Sequence, residues 1–269
     1  MVKKALVIDN DFFFVEFLTE LLEKRGYEIL KAYDGKEGIE KLKQETIDLL
    51  FVDLVMPKID GRELIRFCRS QFPEAQFPIV AVSGTLVEQL DELDTLGADY
   101  YIAKGPMETM AGHVGNFMDK LESQGLPFPG KSNITEPEKL FPRQETRELI
   151  DALGFHRAII DSLGVGIIVA EKDARIVKIN SEALEILDKP YEDVLNCLIT
   201  DLFSAREVKY HMVNALKNVV RNRKISKINF KSVIGGREIH VVVSLLNMEG
   251  KILGWIIVLE DMSQWVEQV

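Results

Sequence analysis

The 269-residue chain is poor in cysteine, tryptophan and basic charge, and it has no long apolar run. Its two cysteines, Cys68 and Cys197, give neither a disulfide framework nor the paired spacing of a zinc site, which suits a reducing, cytoplasmic setting. No window approaches the ~18 uninterrupted apolar residues of a membrane span. The run ALVI ahead of Asp9 is too short for a secretory leader. With 43 acidic against 33 basic residues the net charge is −10, which argues against a general affinity for nucleic acid. Hydrophobic residues at 46% and charged residues at 28% are ordinary globular usage, and the length suits two domains of ~100–200 residues.

The charge is unevenly spread. Residues 1–124 hold 14 basic and 23 acidic residues, a net of −9, and the remainder holds 19 and 20, a net of −1. The acid excess of the first half is either a solvated surface or a reserve of carboxylates for a divalent cation. Pro127, Pro129, Pro137 and Pro142 crowd a stretch that also holds Gly125 and Gly130. Proline lacks a backbone donor and fixes φ, so no helix or central strand is expected there. We read 1–123 as one domain, 124–142 as a proline-rich linker and 143–269 as an N-terminal helix plus a second domain.

In 1–123, apolar runs alternate with helical patterns. ALVI (5–8), YEILKAY (27–33), DLLFVDL (48–54), PIVAVSG (78–84) and DYYIAK (99–104) read as strands. The stripe Phe14, Phe17, Leu18, Leu21 and Leu22 predicts a helix over 11–26, and helices are expected at 36–44, 61–70, 86–97 and 107–123. Five apolar strands alternating with helices imply an α/β doubly wound parallel sheet covered on both faces. Ligands of such sheets sit beyond the carboxyl ends of the strands. The polar residues at those ends are Asp9, Asn10 and Asp11, then Asp53, Ser83 and Lys104. Gathered carboxylates suit Mg²⁺, a carboxylate can act as nucleophile toward a phosphoryl group, and a lysine supplies positive charge to the same oxygens. Asp11 reads better as a helix N-cap than as a ligand.

These residues lie in LVIDND (6–11), LLFVDLVMPKIDG (49–61), IVAVSGT (79–85) and GADYYIAKGP (97–106). On them, residues 3–123 resemble the receiver domain of bacterial response regulators, a flavodoxin-like fold. The resemblance implies that Asp53 accepts a phosphoryl group from a sensor histidine kinase, with Mg²⁺ held by Asp9, Asn10, Asp53 and the carbonyl of Val55. It implies Ser83 as switch hydroxyl, Lys104 as phosphate-contacting lysine and Tyr101 as rotating switch aromatic, with no enzymatic activity beyond self-phosphorylation and dephosphorylation. Two departures stand out. Asn10 replaces the second acid that usually follows the first strand, supplying an amide oxygen without charge. Gly105 separates Lys104 from Pro106, where the family lysine usually precedes proline directly.

After the linker, residues 143–164 read as a helix with Leu149, Leu153, Ile160 and Leu163 near one stripe, suited either to its own domain or to a dimer seam. Two strands around Lys172-Asp173-Ala174, a helix from Asn180, a helix over 207–220 and three closing strands predict an α+β domain. The segments at 159–187 and 254–263, with Asp201-Leu202-Phe203 between, make residues 152–262 resemble a PAS domain. That implies a five-stranded antiparallel sheet which senses a small ligand or pairs with a second PAS domain. His211, on the long helix, is the candidate ligand-binding residue by analogy with haem-binding relatives. Cys197 reads as a core thiol, and the basic run 221–227 as a solvated helix end. The ligand and the downstream protein are not identifiable from sequence. The overall expectation is a cytoplasmic two-component regulator that homodimerises through the PAS domain or its leading helix. Two alternatives are the input half of a larger histidine kinase or cyclase, and a PAS ligand sensor with a degenerate receiver.

Overall fold

The structure, a computed structural model, describes residues 2–72, 77–84, 96–124, 133–134, 154–155, 158–221 and 226–264. The chain forms two compact units, Met1–Asp151 and Ala152–Val269.

The first unit runs β1 (Lys4–Ile8), α1 (Phe12–Glu23), β2 (Glu28–Ala32), α2 (Gly35–Gln44), β3 (Leu49–Asp53), α3 (Gly61–Gln71), β4 (Ile79–Ser83), β5 (Tyr100–Ala103), α4 (Met107–Gln124) and β6 (Asn133–Ile134). The sheet is parallel, in the order β2-β1-β3-β4-β5-β6. Every residue of β3, β4 and β5 is buried, as the uninterrupted apolar runs predict for strands covered on both faces. Aspartates start α1, α2 and α3. The Asp11 side chain accepts from the Phe13 and Phe14 amides, Asp34 from Glu37, and Asp60 forms a reciprocal capping box with Glu63. The helix expected over 86–97 lies largely outside the described residues.

The linker holds one element that the prolines did not lead us to expect. Asn133 and Ile134 pair in parallel with Tyr100 and Tyr101 of β5, adding a sixth strand to the five anticipated. Prolines bar a central strand, but a two-residue edge strand needs few donors.

The second unit runs β7 (Gly166–Glu171), β8 (Ile176–Ile179), α5 (Ser181–Leu187), α6 (Tyr191–Val194), a 3₁₀ turn (Ile199–Leu202), α7 (Arg206–Arg221), β9 (Lys227–Ile234), β10 (Arg237–Met248) and β11 (Lys251–Asp261). Its five strands pair antiparallel in the order β8-β7-β11-β10-β9. Burial alternates along β7 and the first half of β10, and the buried face meets Val208, Met212, Ala215 and Val219 of α7 in a single apolar core. Of the helix expected over 143–164, residues 154–155 and 158–162 are helical, while 143–153 and 156–157 lie outside the described residues. Residues 222–225 of the basic run also lie outside.

Asn180 ties the helical half to the sheet. Its Oδ1 accepts from Ile167 N (2.7 Å) and from Ala183 N (3.1 Å), while Nδ2 donates to the Val165 carbonyl (2.9 Å), with the residue only 8% exposed. Asn180→Ala orphans all three backbone groups at once. Urea denaturation followed through the second unit should show a loss of about 2–3 kcal/mol.

Candidate functional site

In a parallel sheet the carboxyl ends of the strands emerge together, so the residues just past β1, β3, β4 and β5 share one edge. Backbone bonds extend the ladder to hold them there: Asp9 N donates to Ala32 O (3.1 Å), Leu54 N to Val82 O (3.1 Å) and Lys104 N to Ser83 O (2.9 Å).

Two buried carboxylates meet one ammonium at this edge. Lys104 Nζ lies 2.9 Å from Asp53 Oδ2, as a directed hydrogen bond, and 2.6 Å from Asp9 Oδ2, as an ion pair. Asp9 Oδ1 accepts from Asp11 N (2.9 Å) and Asp53 Oδ1 from Val55 N (3.2 Å). Lys104 Nζ also stands 4.7 Å from the centroid of the Phe14 ring, within cation–π range.

Burial sets the electrostatics. Desolvation pushes the Asp53 carboxyl above its ordinary value, and Lys104 only partly opposes this. Asp9 is raised by burial first and then by the charge of Asp53. For Lys104, burial works against the ammonium, but the carboxylates of Asp53 and Asp9 outweigh it and hold its pKa above the usual lysine value. Both acids therefore gain from any added positive charge.

Asn10 is exposed immediately after Asp9. Ser83 is fully buried at the end of β4, and Tyr101 is buried in β5 at 1% exposure. Val55 is half-exposed, and its amide ties its own loop to Asp53. Asp11 serves as the N-cap of α1. His211 belongs to the other unit. Its side chain is 43% exposed, with Nε2 3.8 Å from Glu207 and the ring stacked on Phe230, so it lies at the border of the apolar stripe rather than within the core.

Two residues beyond those picked out from sequence shape the site. Phe14 belonged to the helical stripe of α1, and nothing in that spacing signalled its contact with Lys104. Gly61 opens α3 where a Cβ would collide with the Asp53 carbonyl, and its amide donates to Leu54 O (3.1 Å), closing the loop that carries Val55 back under β3.

Residues 5–111 match the response regulator receiver domain family, and residues 154–262 match the PAS fold. The chain joins a receiver domain to a PAS domain. The chain is 37% identical over 106 residues to PhoP, the alkaline phosphatase synthesis transcriptional regulatory protein of Bacillus subtilis, covering 39% of this chain and 43% of that protein. The response regulator ArlR of Staphylococcus saprophyticus is 27% identical over 223 residues, covering 82% of this chain and 89% of the relative. A CheY-like receiver domain from Methanospirillum hungatei shares 26% identity over 46% of this chain and 100% of its own, with a TM-score of 0.39. This chain thus spans less than half the length of PhoP. Among the described residues no helix is long and apolar enough to cross a membrane.

The raised carboxyls of the receiver make a stability prediction with a definite sign. The folded Asp53 keeps its proton to higher pH than the unfolded chain, so stability falls as pH rises from 3.8, the ordinary aspartate value, through the raised one. Above that window ionisation is a standing penalty. Asp53→Asn should raise the melting temperature at pH 7.5 and lose that advantage below pH 3.8. A variant less stable than wild type at pH 7.5 would contradict the assignment.

Proposed function

We propose that the chain is a phosphorylation-controlled signalling protein in which Asp53 takes a phosphoryl group from the phosphohistidine of a sensor kinase. The observation that carries this reading is the convergence of Asp9, Asp53 and Lys104 at the carboxyl edge of the sheet, in a unit belonging to the receiver family.

Among the described residues no group of three or more His, Cys, Asp or Glu side chains could hold a metal. The residues nevertheless fit Mg²⁺, which is commonly held by one or two carboxylates while waters and substrate phosphate complete its shell. Asp9 Oδ2 is buried without a directed hydrogen bond, and burial leaves both carboxyls short of positive charge. Asp9 and Asp53 would hold the ion, with Asn10 and the Val55 carbonyl contributing neutral oxygens. Bound there, Mg²⁺ neutralises charge on the transferring phosphoryl oxygens.

The remaining chemistry belongs to the chain. An Asp53 carboxylate oxygen attacks phosphorus, a P–O bond forms, and the P–N bond to the donor imidazole breaks with its electron pair returning to nitrogen. Lys104 keeps its ammonium beside the reacting oxygens, and the Ser83 hydroxyl donates to the phosphoryl group. Ser83 pairs in register with Ala103 and Ala81 with Tyr101, so movement at the end of β4 reaches the strand carrying the switch tyrosine. The PAS domain would relay the state, through a homodimer, to a downstream protein.

The test is mass spectrometry of the full chain with Mg²⁺ and a small-molecule phosphodonor such as acetyl phosphate. One phosphoryl mass should appear in wild type, disappear in Asp53→Asn and fall at least about tenfold in rate in Lys104→Met. Absence of uptake in wild type would overturn the reading in favour of a PAS sensor with a degenerate receiver.

A further inference from the structure

Resting on the phosphoacceptor reading above, we propose that Lys104, seated against Phe14, is a built-in rival of the metal for the Asp9 and Asp53 carboxylates, and that Asn10 shifts the contest toward the lysine. Each of the four carboxylate oxygens already faces a cation or an N–H: Asp11 N and Lys104 Nζ for Asp9, Val55 N and Lys104 Nζ for Asp53. The two Oδ2 atoms share one ammonium, so a divalent cation drawn to these acids meets carboxylates that already face positive charge. Asp9 Oδ2 is buried and has no directed hydrogen bond, and the Lys104 ammonium lies 2.6 Å from it. An ion that draws Asp9 away must also loosen Lys104.

A lysine stem is long and mobile, and holding it in one place carries an entropic penalty. Phe14 reduces that penalty. Its ring is 7% exposed, packed in the apolar core of the receiver and tilted against Phe17 at 5.9 Å. The negative face of the ring attracts the ammonium, whose Nζ lies 4.7 Å from its centroid. Position 10 then decides the charge that a metal meets. Two carboxylates and one ammonium leave the edge at −1, whereas an acid in place of Asn10 would leave it at −2. Asn10 keeps an oxygen for the metal and removes half of the net attraction, while the contacts of Lys104 are untouched.

Isothermal calorimetry of the full chain titrated with Mg²⁺ alone, without phosphodonor, tests this. Lys104→Met should tighten Mg²⁺ by about tenfold or more, and Asn10→Asp by a similar factor. Phe14→Leu changes no charge, so it is the discriminating variant. With the lysine less firmly seated, Mg²⁺ should bind about threefold tighter, whereas a purely packing role for Phe14 predicts unchanged or weaker binding. Circular dichroism establishes that each variant is folded. Should Lys104→Met not fold, Phe14→Leu and Asn10→Asp decide between them. Affinities within twofold of wild type in Phe14→Leu would overturn the proposal. Phosphoryl uptake is read separately by mass: uptake with unchanged Mg²⁺ affinities sinks the rivalry alone, and tighter Mg²⁺ without uptake sinks the phosphoacceptor reading alone.

Discussion

Two carboxylates buried at the ends of neighbouring strands coexist only with positive charge between them, and the receiver is arranged around that requirement. Asp9 follows β1 and Asp53 closes β3, strands that pair directly, so the acids are fixed side by side by backbone hydrogen bonds. The cation comes from β5, two strands beyond β3. At ~4.8 Å per strand, only a long side chain spans that gap. The small residue Ser83 closes the intervening β4. The caps and turns around the edge serve the same end. Asp11 starts α1 so that Phe14 falls under the ammonium, and Gly61 lets α3 begin against the Asp53 carbonyl.

Much of this is legible in the sequence, for a physical reason. Parallel strands are apolar on both faces, so the first polar residue after each run is conspicuous, and four such residues mark one edge. Asn10 was equally visible, because it interrupts an acidic cluster. Phe14 was not. At helical spacing with Phe17, Leu18, Leu21 and Leu22 it looks like any core residue, and the difference lies in a third dimension that periodicity does not encode. Asn180 stands out in the sequence as the start of a helix, and it is the N-cap of α5. Its grip on both Ile167 and Val165 depends on a chain reversal fifteen residues long that spacing alone does not reveal.

The PAS domain shows the opposite balance. Its alternating strands predicted antiparallel hairpins, and the register of β10 with β9 and β11 follows that pattern. Its sequence holds no constellation comparable to the receiver edge. The His211 ring stacks on Phe230 and faces Glu207, and apolar side chains of α7 and the sheet pack together in one core. Specificity on this side of the molecule is written in packing, where one residue type substitutes for another more freely than at a charged site.

The two-residue β6 bears on where this molecule can be cut. A bare sheet border presents unpaired amides and carbonyls to any extended peptide, including a second copy of itself. Asn133 and Ile134 occupy the rungs beside Tyr100 and Tyr101, so the flank of the receiver is closed by chain that lies past its last helix. Trimming at Gln124, where α4 ends, would keep Asp9, Asp53, Ser83 and Lys104 and yet leave β5 as an open border. A boundary after Asp151, where the first compact unit ends, would carry its own edge protection with it.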